Sequence, residues 1–192
     1  MNLRREVTDA LVAEGFARGR FMHRKPLDDG WSLLVDTGAV GKATDIAPYT
    51  GLQYTPVEKL LQELCGLSPS EGAGTVGANA GYILDGVYRS WMPRPQAPVA
   101  VAEVLDTIHA ALDRLMAYQS LDRLPAAWAE LPDTRFDPAC AYRQVIVQFL
   151  RNDRAGIDRE LAAAQEVYCV RDDEICADFQ AFRERLLFRL SG

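Results

Sequence analysis

Leu3, Val7, Ala10 and Leu11 are spaced to share one face of a helix, and Gly15 follows as a C-terminal cap. This pattern predicts a helix over residues 2–14. The period then changes from helical to alternating. "FARGRFMHR" (16–24) reads as a strand, and "KPLDDG" (25–30) supplies turn chemistry. "WSLLVDTG" (31–38) resumes the alternation, with Trp31, Leu33 and Val35 on one face. The two strands should form an antiparallel hairpin. "TDIAPYTGLQY" (44–54) reads as a third strand, at a sheet edge or bulged at Pro48, because proline has no N–H to give to a ladder.

"TPVEKLLQELCG" (55–66) carries start and stop signals for a helix. Thr55 is the expected N-cap, Pro56 takes the first helical position, Glu58 closes a capping box, and Gly66 ends the element. Val57, Leu60, Leu61 and Leu64 form its apolar stripe. Val76, Ala78, Ala80 and Tyr82 alternate and predict a fourth strand. "GVYRSW" (86–91) predicts a fifth, hairpinned through Asp85 and Gly86. "MPRPQAP" (92–98) is a stiff connector, and the pattern after it is helical. Val101, Val104, Leu105, Ile108, Leu112, Leu115 and Met116 make one long stripe. "LPAAWAEL" (124–131) marks a short helix. Asp137 and Pro138 open the next, with Tyr142, Val145, Ile146, Phe149 and Leu150 inward. Ile157, Leu161, Ala164 and Tyr168 mark another. The last runs from about Asp172 to Leu190, with Ile175, Phe179, Phe182 and Leu186 inward. The expected fold is α+β: an antiparallel sheet of about four or five strands with two helices packed on it, followed by a helical C-terminal lobe. Residues 1–92 make the sheet half and 93–192 the lobe, within one compact unit.

The stretch "EGAGTVGANAGY" (71–82) spells G-x-G-x-x-G at Gly72, Gly74 and Gly77, the spacing of a dinucleotide loop. Such a loop must follow a strand and open a helix, so that the helix N-terminus meets the pyrophosphate. Here the glycines follow a helix and precede a strand pattern, and the expected ribose-binding acid is replaced by "MPRPQAPVA" (92–100). The motif is read as structural, its small residues admitting a close neighbour. Gly81 in particular is expected to sit mid-strand beneath such a neighbour.

Composition narrows the function classes. The chain of 192 residues is 48% hydrophobic and 25% charged, the balance of a soluble globular protein. No apolar run approaches a membrane span, and the N-terminus has no signal-peptide pattern, so a cytoplasmic location is expected. A net charge of −6 argues against nucleic acid and permits a basic protein partner. Cys65, Cys140, Cys169 and Cys176 form no C-x-x-C pair and are expected as reduced, mostly buried thiols. His23 and His109 have no ligand companions at metal spacing, and no nucleophile elbow, P-loop or kinase signature occurs. No cofactor, metal or catalytic residue is assigned.

Carboxylates concentrate at Asp28 and Asp29, at Asp133 and Asp137, and at Asp172, Asp173 and Glu174. Turn chemistry accounts for the first pair and helix capping for the last cluster; each also offers an acidic face to a basic partner. Trp31 belongs to an aromatic-rich half in which most rings should be core, with one or two left to anchor a partner. "EGF" (14–16), "WSLLVDTG" (31–38) and "TVGANAGYI" (75–83) with Trp91 resemble a widespread group of uncharacterised bacterial domains. Some members of that group accompany secreted polymorphic toxins as immunity proteins. The resemblance covers the first half of the chain and transfers no catalytic residue. It implies a non-enzymatic binding protein, a cytoplasmic immunity protein that neutralises a toxin. An enzyme with a scattered site and a helical scaffold or regulatory module stand as the alternatives.

Overall fold

Helix α1 (Leu3–Ala13) shows how closely local chemistry sets the boundaries in a computed structural model of the chain. Asn2 accepts from the Arg5 backbone N–H and begins the helix. At its end Gly15 takes φ +95°, while the Gly15 and Phe16 N–H groups donate to the carbonyls of Val12 and Leu11. These paired bonds close the helix in a Schellman turn and send Phe16 into the core. The structure describes residues 2–19, 22–38, 45–66, 74–93, 99–131, 139–169 and 173–191.

The contacts divide the chain into two units, residues 1–55 with 71–136 and residues 56–70 with 137–192. The expected division fell at 92/93. Helices α4 (Val101–Met116) and α5 (Leu124–Glu130) instead belong with the sheet, because α4 packs on β4, on α1 and on the short helix α3 (Ala80–Asp85). Helix α2, which the structure starts at Thr55 and ends at Cys65, falls with the C-terminal helices.

The sheet unit is an α+β structure built on a five-stranded antiparallel sheet in the order β1-β2-β3-β4-β5. The strands are β1 (Ala17–Arg18), β2 (His23–Pro26), β3 (Trp31–Asp36), β4 (Tyr49–Tyr54) and β5 (Val76–Asn79). The β2–β3 hairpin forms as expected. The segment before it is not one strand but two short ones, folded back so that Ala17 faces Arg24. Pro48 lies just outside β4, which is an interior strand, and its carbonyl accepts from Ala80 N–H at 2.8 Å. The alternation at 76–82 predicts a strand that runs too far: after Asn79 the chain turns helical, because the Asn79 side chain accepts from Gly81 N–H and caps α3. Gly86, in the left-handed region at φ +74°, ends α3 rather than turning a hairpin. Of the expected fifth strand only Trp91 remains, bridging to Ile46. Trp31 and Tyr54 face each other across β3 and β4 and stack with ring centroids 4.5 Å apart.

The second unit contains α2, α6 (Cys140–Leu150), α7 (Arg154–Tyr168) and α8 (Asp173–Leu190). The left-handed Asn152 and the Asp153 cap start α7. Phe179, Phe182 and Leu186 are buried as their spacing requires, but Ile175 is exposed. Tyr142, Tyr168, Phe179 and Phe182 form a continuous aromatic cluster.

Candidate functional site

The glycine motif resolves into a bed for a tyrosine ring. Gly51 of β4 faces Gly77 of β5 in the register. A Cβ on Gly77 would lie 2.7 Å from Tyr49 Cζ and 2.6 Å from the Thr50 carbonyl oxygen, and one on Gly51 would lie 3.0 Å from Tyr49 Cε1. The Tyr49 hydroxyl continues along the same line and accepts from Gly74 N–H at 3.2 Å. Two of the three motif glycines therefore make room for a side chain of the protein itself; Gly72 lies outside the described residues. Gly81 is in the first turn of α3 and not mid-strand, yet the close approach is present: an added Cβ would overlap the Val87 carbonyl oxygen and stand 2.9 Å from Arg89 Cβ.

Of the predicted acidic residues, Asp28, Asp29, Asp173 and Glu174 lie among the described residues. Asp28 and Asp29 are exposed at the tip of the β2–β3 hairpin, in a 3-10 turn where Asp29 has φ +56° and Gly30 φ +81°. Neither carboxylate has a hydrogen-bond or ion-pair partner among the described residues. Trp31, next in the chain, is only 6% exposed and belongs to the core through its stack on Tyr54. Its β-strand position fixes that outcome, so its side chain offers no anchor at this surface. Asp133, Asp137 and Asp172 lie outside the described residues. Asp173 begins α8, and Glu174 is exposed in its first turn.

The cysteines depart from expectation. Cys169 and Cys176 form a disulfide, with Cα atoms 4.5 Å apart, that ties the end of α7 to the first turn of α8. The helix break between them is what brings two residues seven apart within bonding reach. Cys65 and Cys140 are free thiols, as expected. Among the described residues no three His, Cys, Asp or Glu side chains are grouped to hold a metal. His109 Nε2 lies 2.8 Å from Glu14 Oε2 at the surface. His23 is buried, with Nε2 3.4 Å from Thr8 Oγ1 and Nδ1 without a hydrogen-bond partner. Burial, and then the positive charge of Arg18, hold its pKa below the usual 6.5.

A concave site with converging polar groups lies in the helical unit, and sequence reasoning assigned none of its lining residues to a site. Leu61 and Cys65 of α2, Ala139 and Tyr142 at the start of α6, and Asp178, Ala181 and Arg185 of α8 line a cavity of about 270 Å³. Two of the helices around it, α2 and α6, are joined by a buried pair: Arg143 Nε and Nη2 donate to Glu58 Oε1 and Oε2 at 2.9 and 3.0 Å. Glu58 thus turns its carboxylate to Arg143, a use that its capping-box spacing does not reveal. Arg185 Nη1 donates to the Leu64 carbonyl at 2.6 Å, beside the end of α2. Burial pushes the Cys65 thiol up to about 11, aided by Asp178 and opposed by Arg185 and Arg143. Burial pushes the Tyr142 phenol up to about 12, with Cys65 and Asp178 acting in the same direction. Both groups are neutral hydrogen-bonding partners at neutral pH, not nucleophiles. The signal that was available is the spacing: 61 and 65 share a helix face, as do 178, 181 and 185, and alanine at 181 leaves the middle of that face short.

Among the described residues no helix is long and apolar enough to cross a membrane. No family model matches the chain, and neither curated proteins nor solved structures give a match.

Proposed function

We propose that this is a non-enzymatic binding protein, a cytoplasmic immunity protein that neutralises a bacterial toxin by engaging a basic surface. The observation that carries the reading is the hairpin tip. Asp28 and Asp29 stand exposed, without partners among the described residues, on a turn whose backbone is held by two left-handed residues at the head of a paired strand. Such carboxylates keep their full field for steering a cationic partner. The chain's net charge of −6 acts in the same sense, and the sequence resemblance names the class of partner. The neutral state of Cys65 and Tyr142 favours binding over nucleophilic catalysis.

The test is recovery of partners from the native host, followed by association kinetics. Asp28→Lys with Asp29→Lys should slow association at least tenfold at low salt while leaving the melting temperature unchanged, and added salt should narrow the difference. A partner that associates at the same rate with both proteins refutes the hairpin as the contact. The disulfide makes the compartment measurable too. A reducing cytoplasm keeps such cysteine pairs as thiols, so alkylation after denaturing lysis into the alkylating agent should label Cys169 and Cys176. A protected pair places the protein in an oxidising compartment instead.

A further inference from the structure

We infer that the cavity of the helical unit is a binding site for a small apolar α-amino acid, taken as the zwitterion. Three features of the site converge on that chemistry, and none depends on the toxin reading. The first is charge. Asp178 and Arg185 lie two helical turns apart on one face of α8 and both line the cavity, yet they form no ion pair with each other. Asp178 has no hydrogen-bond partner among the described residues. Arg185 spends Nη1 on the Leu64 carbonyl, which fixes the guanidinium in place and leaves its other N–H groups available. A purely anionic ligand would meet the Asp178 carboxylate, and a purely cationic one the Arg185 guanidinium. A ligand with both charges satisfies each, its carboxylate on Arg185 and its ammonium on Asp178.

The second feature is size. A volume of about 270 Å³ is below the roughly 300–1,000 Å³ of sites for drug-sized ligands and suits a single amino acid. The space exists because Ala181 sits between the two charged residues, where a larger side chain would close it. The third is the lining. Leu61, Ala139 and Ala181 give the ligand side chain apolar lining. The Tyr142 hydroxyl and the Cys65 thiol, both kept protonated by burial, add neutral donors that do not disturb the charge balance.

Ligand-observed NMR and calorimetry on the full chain test the site with L-leucine, L-methionine and L-phenylalanine as probes. At least one should bind saturably with a Kd of about 1 mM or tighter, the affinity such a small ligand can reach. N-acetyl-leucine and leucinamide, each lacking one charge, should bind at least tenfold more weakly. Ala181→Leu should abolish binding by filling the space, with an unchanged circular dichroism spectrum and a melting temperature at or above wild type. Arg185→Gln should weaken binding tenfold or more and provides a second arm if the leucine variant does not fold. The proposal is overturned if none of the three amino acids binds. It is equally overturned if the blocked derivatives bind as well as the zwitterions, or if the folded variants bind like wild type. Recovery or absence of a toxin partner leaves all of these outcomes unaffected, so the two readings fail separately.

Discussion

Gly77 in the sheet unit and Ala181 in the helical unit are both small residues where the surrounding pattern would accept a larger one. What stands opposite them differs. Over Gly77 lies the Tyr49 ring, so near that even a methyl group would overlap it. Beside Ala181 there is a cavity of about 270 Å³ with unpaired charges at its edge. The glycine-rich stretch has the spacing of a ligand loop but is already filled by the protein. The alanine has no motif around it and borders the space. A small residue marks a site only when nothing else in the fold occupies the room it leaves, and that depends on partners remote in sequence: Tyr49 is 28 positions from Gly77.

The largest expected effect comes from breaking what keeps the helical unit open. Walls that surround a cavity cannot lean on its contents, and the Arg143–Glu58 pair, with side chains 2% and 9% exposed, holds α6 to α2 by two charge-assisted bonds. Arg143→Met removes both and leaves the Glu58 carboxylate buried without this counter-ion. The expected cost is about 3–5 kcal/mol, measured by urea unfolding. Replacing both residues together, Arg143→Met with Glu58→Leu, should recover most of that loss, since the penalty resides in a buried carboxylate that has lost its guanidinium. A single variant within about 0.5 kcal/mol of wild type would mean that the pair is not what fixes the walls.

The next effect tests the filled side of the comparison. Gly77→Val should destabilise by about 1–3 kcal/mol despite valine's higher strand propensity, because the added carbons meet both the Tyr49 ring and the Thr50 carbonyl. Combined with Tyr49→Ala, the same substitution should cost measurably less than the sum of the two single changes, since the ring is the movable half of the clash. Strict additivity would show that the ring does not lie over Gly77.

Much of the fold was legible because it is encoded locally. Gly15 and Gly66 end helices in the left-handed region, α2 starts at Thr55 just before Pro56, and α4 carries an unbroken stripe that matches its observed span. The errors fall where a local pattern was ambiguous or was overruled. Small alternating residues at 76–82 fit a strand until Asn79, whose side chain caps the helix that follows. Division at 92/93 followed a change of composition, whereas the contacts follow packing, which draws α4 to the sheet and α2 to α6 and α8. The cavity was legible only as separate helix faces, for a related reason. Its polar residues come from three helices, and no spacing rule spans Cys65, Tyr142 and Asp178. The disulfide was missed because a seven-residue separation across a helix break fits no sequence motif.

The smallest effect concerns a group that the filled unit leaves without a full set of partners. His23 is buried in β2 with Thr8 on one ring nitrogen and nothing on the other, and burial lowers its pKa in the folded state. The unfolded chain, with its histidine near 6.5, then binds the proton more readily than the native state. The stability tied to neutral His23 is therefore complete above pH 6.5 and declines as the pH falls below it. Melting temperatures taken between about pH 7.5 and 5.5 should fall with acid for the wild type and fall less for His23→Gln, which retains a partner for Thr8 but cannot titrate. Comparing the two chains at each pH cancels the contributions that they share. Parallel curves would mean that the sheet unit admits solvent to the ring. They would also mean that it is less completely filled around His23 than around Tyr49.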